Sequence, residues 1–303
     1  VSASALPIEA PTAEERAVLR TVVYAGLFEA PLSLERLHRL LMDVPMTAGE
    51  VRAALGRPFL RQRVEVAEGH VFPRGRRAWL RAAAFRRAGT RVLLDAHREV
   101  LERIASFPFV RLVALSGGCA HDNARDADVD VFLVVRRGRA WTVCLALMVL
   151  SKLLGKRRTL CLNYVLDEDA LALPERDLFT ASELVGVRPL AGPDAYRAFL
   201  QANRWAAACH PNFFAGGPPC PEGLPPAGGP RWRERVLDLC GASLAERAAH
   251  ALLAGWLRLR WRGRDVSGVI LARHRIKLHT LDHGPRLRAA FAGRLRLEGD
   301  GLD

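Results

Sequence analysis

The chain predicts an α+β fold, a sheet with helices flanked by a small N-terminal domain and a helical, basic C-terminal region. Three observations carry that prediction. Residues 110–115 and 129–135 are short runs rich in Val and Leu, bounded by turn formers, as strands are. Around them, apolar residues recur at helical spacing behind Ser/Thr-x-x-Glu start signals. A stretch dense in glycine and proline, 215–230, then marks a linker. The expected domains are 1–85, 86–214 and 231–303, with 215–230 between the last two.

The first domain opens with Thr12 and Glu15, a capping box for a helix through 28 whose stripe is Val18, Leu19, Val22 and Val23. Pro31 and Ser33 begin a second helix to about Leu41. Thr47 with Glu50 starts a third, ending near Leu60 despite Pro58. Residues 63–66 and 70–72, joined across Glu68-Gly69, read as a hairpin. Three short helices followed by a hairpin resemble a winged helix-turn-helix domain. That resemblance implies a third helix able to enter a DNA groove, with Arg52, Arg57, Arg61 and Arg63 as candidate phosphate contacts.

A basic stretch, 74–87, leads into a helix over 90–105. The segment that follows carries the chemistry. After the strand 110–115 come Ser116, Gly117 and Gly118, a turn without side-chain obstruction, and nine residues later Asp128-Val-Asp130 enters the strand 129–135. Alternation puts Asp128, Asp130, Phe132 and Val134 on one face and Val129, Val131, Leu133 and Val135 on the other. Two carboxylates pointing the same way suit magnesium, which takes one or two carboxylates plus the phosphates of its substrate. Backbone N–H groups in a bare turn favour a triphosphate.

The strand, Gly117-Gly118, spacing and Asp128-x-Asp130 on a second strand together resemble the signature of the DNA polymerase β-like nucleotidyltransferase superfamily. The likeness covers roughly 90–187. It implies a nucleotidyltransferase-like mixed β-sheet and a nucleoside triphosphate held by Ser116, Gly117 and Gly118. It also implies Mg2+ or Mn2+ at the catalytic pair Asp128 and Asp130, and transfer of a nucleoside monophosphate to an acceptor hydroxyl with release of pyrophosphate. Asp126 has the same parity but reads as a loop aspartate.

The family supplies a third carboxylate from a later strand, and here the chain departs from it. The strand 159–166 carries Asn163 at its centre, an amide that cannot act as a base. Asp167 shares its parity but lies roughly 13 Å further along at about 3.3 Å per residue. Three readings stay open: catalysis with two carboxylates, a distal acid such as Asp167 or Glu183, or a nucleotide-sensing or DNA-binding regulator that does not catalyse. A third kind of protein, a partner-binding component of a larger assembly, also fits.

Further on, 140–154 reads as a helix buried against the sheet, too short at about 15 residues to span a bilayer, which takes about 20. Basic clusters at 136–139 and 156–158 bracket it. Thr180 with Glu183 suggests a capping box, 194–208 a helix with Asn203, Arg204 and Trp205 packing inward, and Ser243 with Glu246 a helix through 262 burying Leu252, Leu253, Trp256 and Leu257. His279 and His283, four apart, read as surface histidines on one helix face.

Lys plus Arg exceed Asp plus Glu by 45 to 32, a formal +13, and 42 of the bases are arginine. Anionic partners follow: the triphosphate and nucleic acid along the basic surface. Six cysteines without paired spacing read as free thiols in a reducing cytoplasm. No signal peptide or spanning segment is recognised, so the expectation is a cytoplasmic protein without a membrane partner.

Overall fold

The computed structural model describes residues 10–217, 219 and 223–298. In chain order its elements are α1 (Ala13–Gly26), β1 (Leu32–Ser33), α2 (Leu34–Arg39), α3 (Ala48–Leu55), α4 (Pro58–Arg63), β2 (Val64–Ala67), β3 (His70–Pro73) and α5 (Ala78–Ala105). Then come β4 (Val110–Leu115), α6 (Gly117–Ala120), β5 (Val129–Val135), α7 (Ala140–Leu153), β6 (Leu160–Asp167), α8 (Leu178–Gly186), β7 (Arg188–Ala191) and α9 (Pro193–Ala202). The chain closes with α10 (Pro211–Ala215), α11 (Arg231–Leu239), α12 (Ala242–Arg260), β8 (Ile270–Ala272), β9 (Arg275–Lys277) and α13 (Gly284–Leu297). The fold is mixed α+β, as expected. Among the described residues no helix is long and apolar enough to cross a membrane.

Two compact units emerge. Among the described residues the first comprises 10–85, 205–217 and 284–298. Thr12 caps α1 through a complete capping box with Glu15, and Thr47 with Glu50 does the same for α3. The expected third helix breaks at Arg57 because Pro58 has no N–H to continue it, and the chain restarts as α4 with Pro58 in its first turn. β2 and β3 form the expected hairpin across Glu68-Gly69, and β1 adds to it in the order β1-β3-β2. Val18, Leu19, Leu37, Leu60 and Val71 make its core. Segment 205–217 is stitched in by Asn212, which accepts from Met46 N–H (3.1 Å) and donates to the carbonyls of His38 and Met46 (both 2.8 Å). α13 joins through the edge-to-face contact of Phe291 with Tyr24. Neither segment was expected here, because such pairings leave no local pattern.

Among the described residues the second unit comprises 86–204, 219 and 223–283. Its six strands run β7-β4-β5-β6-β9-β8. Only β5 and β6 are parallel, joined through α7; the other neighbours are antiparallel. One face, with Val129, Val131, Leu133, Val135, Leu162, Val165 and Ile276, packs on α5, α7 and α12 in a continuous core. The opposite face carries Phe132 against Tyr164 and Phe199.

Several expectations change here. The basic stretch 74–87 is largely the start of α5, which runs 28 residues. Residues 231–283 are not a separate helical region, since β9 pairs with β6 and Leu253 and Leu257 of α12 lie in the core. The described end of the glycine-proline stretch is tied down, Gly228 N–H donating to Ala105 O at 2.8 Å. The predicted helix 194–208 is interrupted by Asn203, fully buried, which accepts from Leu173 N–H and donates to the carbonyls of Leu171 and Phe199. Five cysteines are free thiols, and Cys220 lies outside the described residues.

Glu246 does something its own helix does not require. It accepts from Trp141 N–H (3.0 Å), Thr142 N–H (2.8 Å) and Thr142 Oγ1 (2.6 Å), capping α7 from a neighbouring helix. Arg139, at the N-cap, provides no such bond, so a carboxylate from outside satisfies the orphan donors.

Candidate functional site

β4 and β5 are antiparallel neighbours with Leu115 opposite Val131, and the link between them builds the site. Ser116 N–H donates to Asp130 O at 2.9 Å, which extends the pairing one step past the strand end. Gly117 then turns with φ +58, where a side chain is strained, and a Cβ there would lie 2.6 Å from Asp130 Oδ2. The carboxylate of Asp130 rests directly on the bare Cα of Gly117. Gly118 has a different reason for lacking a side chain. A Cβ there would meet Asn123 O at 3.1 Å and the Ala124 Cα at 3.2 Å, so its freedom is used to seat the returning loop. The space beside Gly117 is thus taken by the Asp130 carboxylate and that beside Gly118 by loop backbone.

That loop is anchored by α5. Thr90 Oγ1 accepts from Ala124 N–H (3.1 Å) and donates to Arg86 O (2.8 Å), while Arg86 Nε donates to Asn123 Oδ1. Asn123 N–H returns to Gly118 O at 2.9 Å. Asp126 lies in the loop as expected, its carboxylate accepting from Asp128 N–H at 3.3 Å. The buried Cys119 thiol donates to Asp128 O at 3.3 Å. Asp128 therefore enters β5 from a fixed backbone. Val129, fully buried, points into the core between the two acids.

Charge accumulates at this end of the sheet. Burial, then the fields of Asp126 and Asp128, push the Asp130 carboxyl up to about 6. Cys161 is the register partner of Asp130 on β6, and burial followed by the Asp130 and Asp128 charges raises its thiol to about 11. Like charges nearby disfavour the ionised form of Asp130.

Asn163 reaches the same place. The β5–β6 register shifts between Val131 and Phe132, so Leu162 and Tyr164 are paired and Asn163 is the extra residue. Its Nδ2 donates to Ser116 Oγ at 3.3 Å, and its buried Oδ1 has no hydrogen-bond partner among the described residues. Such an orphan acceptor fits a cation or a ligand donor. Asp167 does not come here. It is fully buried opposite Val135, at the far end of the strand, and accepts from Gly138 N–H, Asp169 N–H (3.1 Å) and His274 Nδ1 (3.0 Å). As a third site position Asp167 is thereby corrected to a structural role.

Two further groups are candidates for the site. The predicted capping box at Thr180 is displaced, because Asp177 is the cap and accepts from Thr180 N–H at 2.8 Å. Glu183 is thereby freed within α8. Its side chain is exposed to solvent, and Lys277 and Asp130 are the charged groups that act on it with opposite signs. Lys277 is opposite Tyr164 on β9, Leu278 N–H donates to Asn163 O at 3.1 Å, and Ile276 points into the core. Lys277 thus lies on the Asp130 face of the sheet. Sequence reading missed it; its only signal was being one of three lysines in an arginine-rich chain. His279 and His283 have rings 5.6 Å apart, but in a segment that is not helical.

Among the described residues no group of three or more His, Cys, Asp and Glu side chains is arranged to hold a metal by itself. Asp128, Asp130 and the orphan amide oxygen of Asn163 are the groups that could take part in holding a divalent ion. Comparison with protein-family models, curated proteins and solved structures returned no match to this chain.

Proposed function

We propose that the second unit is a nucleotidyltransferase. The observation that carries this reading is the Asp130 carboxylate resting on Gly117 at the end of β4, beside Asp128 and the orphan oxygen of Asn163. The turn at Ser116 and Gly117 would seat the phosphates of a nucleoside triphosphate. Asp128 and Asp130 would hold Mg2+ or Mn2+, which neutralises phosphate charge as it develops. Lys277 supplies fixed positive charge on the same face of the sheet for the departing pyrophosphate. The acceptor oxygen forms its bond to the α-phosphorus as the bond to the bridging oxygen breaks, and Glu183 takes the hydroxyl proton. An ionised carboxylate can accept that proton. Glu183 would replace the strand acid that Asn163 is not.

The test is pyrophosphate release with each triphosphate and magnesium. Asp128→Asn with Asp130→Asn should abolish it, and full activity in that double variant would remove these residues from the site. Asn163 favours one second reading, a domain that senses a nucleotide without turning it over. Magnesium-dependent thermal stabilisation by a triphosphate with no turnover would select it.

For the first unit we propose a winged-helix role in nucleic-acid contact. Support comes from its helices followed by the β1-β3-β2 sheet and from exposed Arg52, Arg57 and Arg61. Arg63 is not part of it. It is stacked 4.0 Å over the Phe59 ring and donates to the carbonyls of Phe59 and Glu298. Duplex binding unchanged by Arg52→Ala, Arg57→Ala and Arg61→Ala together would end this reading.

A further inference from the structure

The outer faces of α11 and α12 are apolar and bare. On α11, Trp232, Val236 and Leu239 recur at helical spacing and are 61%, 48% and 88% exposed. On α12, Leu244, Leu252, Trp256 and Leu259 are 72%, 70%, 49% and 70% exposed, while Ala249, Leu253, Ala254 and Leu257 fill the inward side. The expectation that Leu252 and Trp256 are buried is therefore overturned. α12 has two apolar faces, and the sheet unit covers only one. An outward apolar face of this kind is a candidate interaction site.

The exposed charges along these two helices are of one sign. Eight arginines between 231 and 264 are exposed, and Arg233 and Arg260 lie over the rings of Trp232 and Trp256 at 5.7 and 5.5 Å. The three carboxylates of that segment are turned inward. Glu234 accepts from Arg111 at 2.7 Å, Asp238 from Arg136 and Arg139 at 2.7 and 2.6 Å, and Glu246 caps α7. The fringe is left cationic.

We infer that this face docks on an anionic bilayer surface. A second copy of the chain would bring two arginine fringes together, which repel. Nucleic acid would satisfy the arginines but leave the leucines wet. Leucines 70% to 88% exposed project from the surface instead of lining a groove, which suits insertion into a soft apolar phase over filling by a partner's side chain. Outward Leu and Trp with Arg alongside is the composition of a helix lying in the headgroup region, where each base near an anionic surface adds attraction. Contact is with the surface, since no described helix can cross it. The expectation of no membrane partner is revised to that extent, independently of the nucleotide reading.

The experiment is flotation of the full chain with vesicles of equal phosphatidylglycerol and phosphatidylcholine, beside pure phosphatidylcholine. The expected result is co-flotation with the anionic vesicles only, weakened by salt, and at least a tenfold loss of binding in Leu252→Ser with Trp256→Ser. Leu252 is largely and Trp256 half exposed, so that variant should melt close to the parent. An unbound parent at low salt, or equal binding by the variant, overturns the inference; the latter would mean nonspecific attraction by a +13 chain. A parent dimer that the variant breaks, without vesicle binding, would assign the face to a second copy and overturn it equally.

Discussion

Replacing Gly117 with alanine separates what this turn does for folding from what it does for chemistry. At φ +58 an alanine costs about 1–2 kcal/mol of left-handed strain. The new Cβ would also lie 2.6 Å from Asp130 Oδ2, so the carboxylate must retreat by about 0.8 Å to reach ordinary contact. Strain of that size lowers the melting temperature by a few degrees in a unit this large. A displacement approaching 1 Å at a metal-holding carboxylate costs on the order of 100-fold in rate. Gly138→Ala is the control: φ is +63 and nothing lies within 4 Å of its added Cβ. Both variants should lose similar stability by thermal denaturation, and only Gly117→Ala should lose magnesium-dependent pyrophosphate release. Equal activity in the two, high or low, would refute the placement of Asp130 as the reason for the glycine.

Other expected outcomes follow from the same geometry. With Asp130 raised to about 6, the folded form holds a proton that the unfolded chain has released. Its contribution to stability is therefore full below the ordinary carboxylate range and is lost as pH rises through about 6. A divalent ion replaces that proton, so thermal stabilisation by Mn2+ should be clear at pH 7 and fade by pH 5; identical shifts at both would count against Asp130 as ligand. Glu246→Ala leaves the Trp141 and Thr142 N–H groups without their acceptor and should cost about 2–4 kcal/mol in urea denaturation, where a loss below about 0.5 would show the cap to be unimportant. Lys277→Gln should weaken triphosphate affinity about tenfold, with recovery in Lys277→Arg and no change for the unphosphorylated nucleoside, a difference expected of a charge-assisted contact. Loss of nucleoside binding as well would point to a damaged fold.

Much of the local structure was written in the chain. Thr12, Ser33 and Thr47 cap their helices as their spacing indicates, and β4 and β5 have the bounds that their apolar runs set. Capping boxes, hairpin glycines and alternation are short-range effects, and a sequence displays them directly. Where two local signals competed, reading failed: Asp177 outranks Thr180 as a cap, and Pro58 ends a helix that the apolar pattern would continue.

The sequence by itself determined that Asp128 and Asp130 flank a core valine beside a glycine turn, because strand alternation and the freedom of glycine need no partner. The tertiary structure alone decided which distant groups join them. Asn163 enters through a register shift, and Lys277 reaches the Asp130 face through the pairing of β9 with β6, while Asp167 is carried to the far end of the same strand. Strand pairing is set by burial summed over the whole sheet, and that sum leaves no mark in the spacing of any one segment.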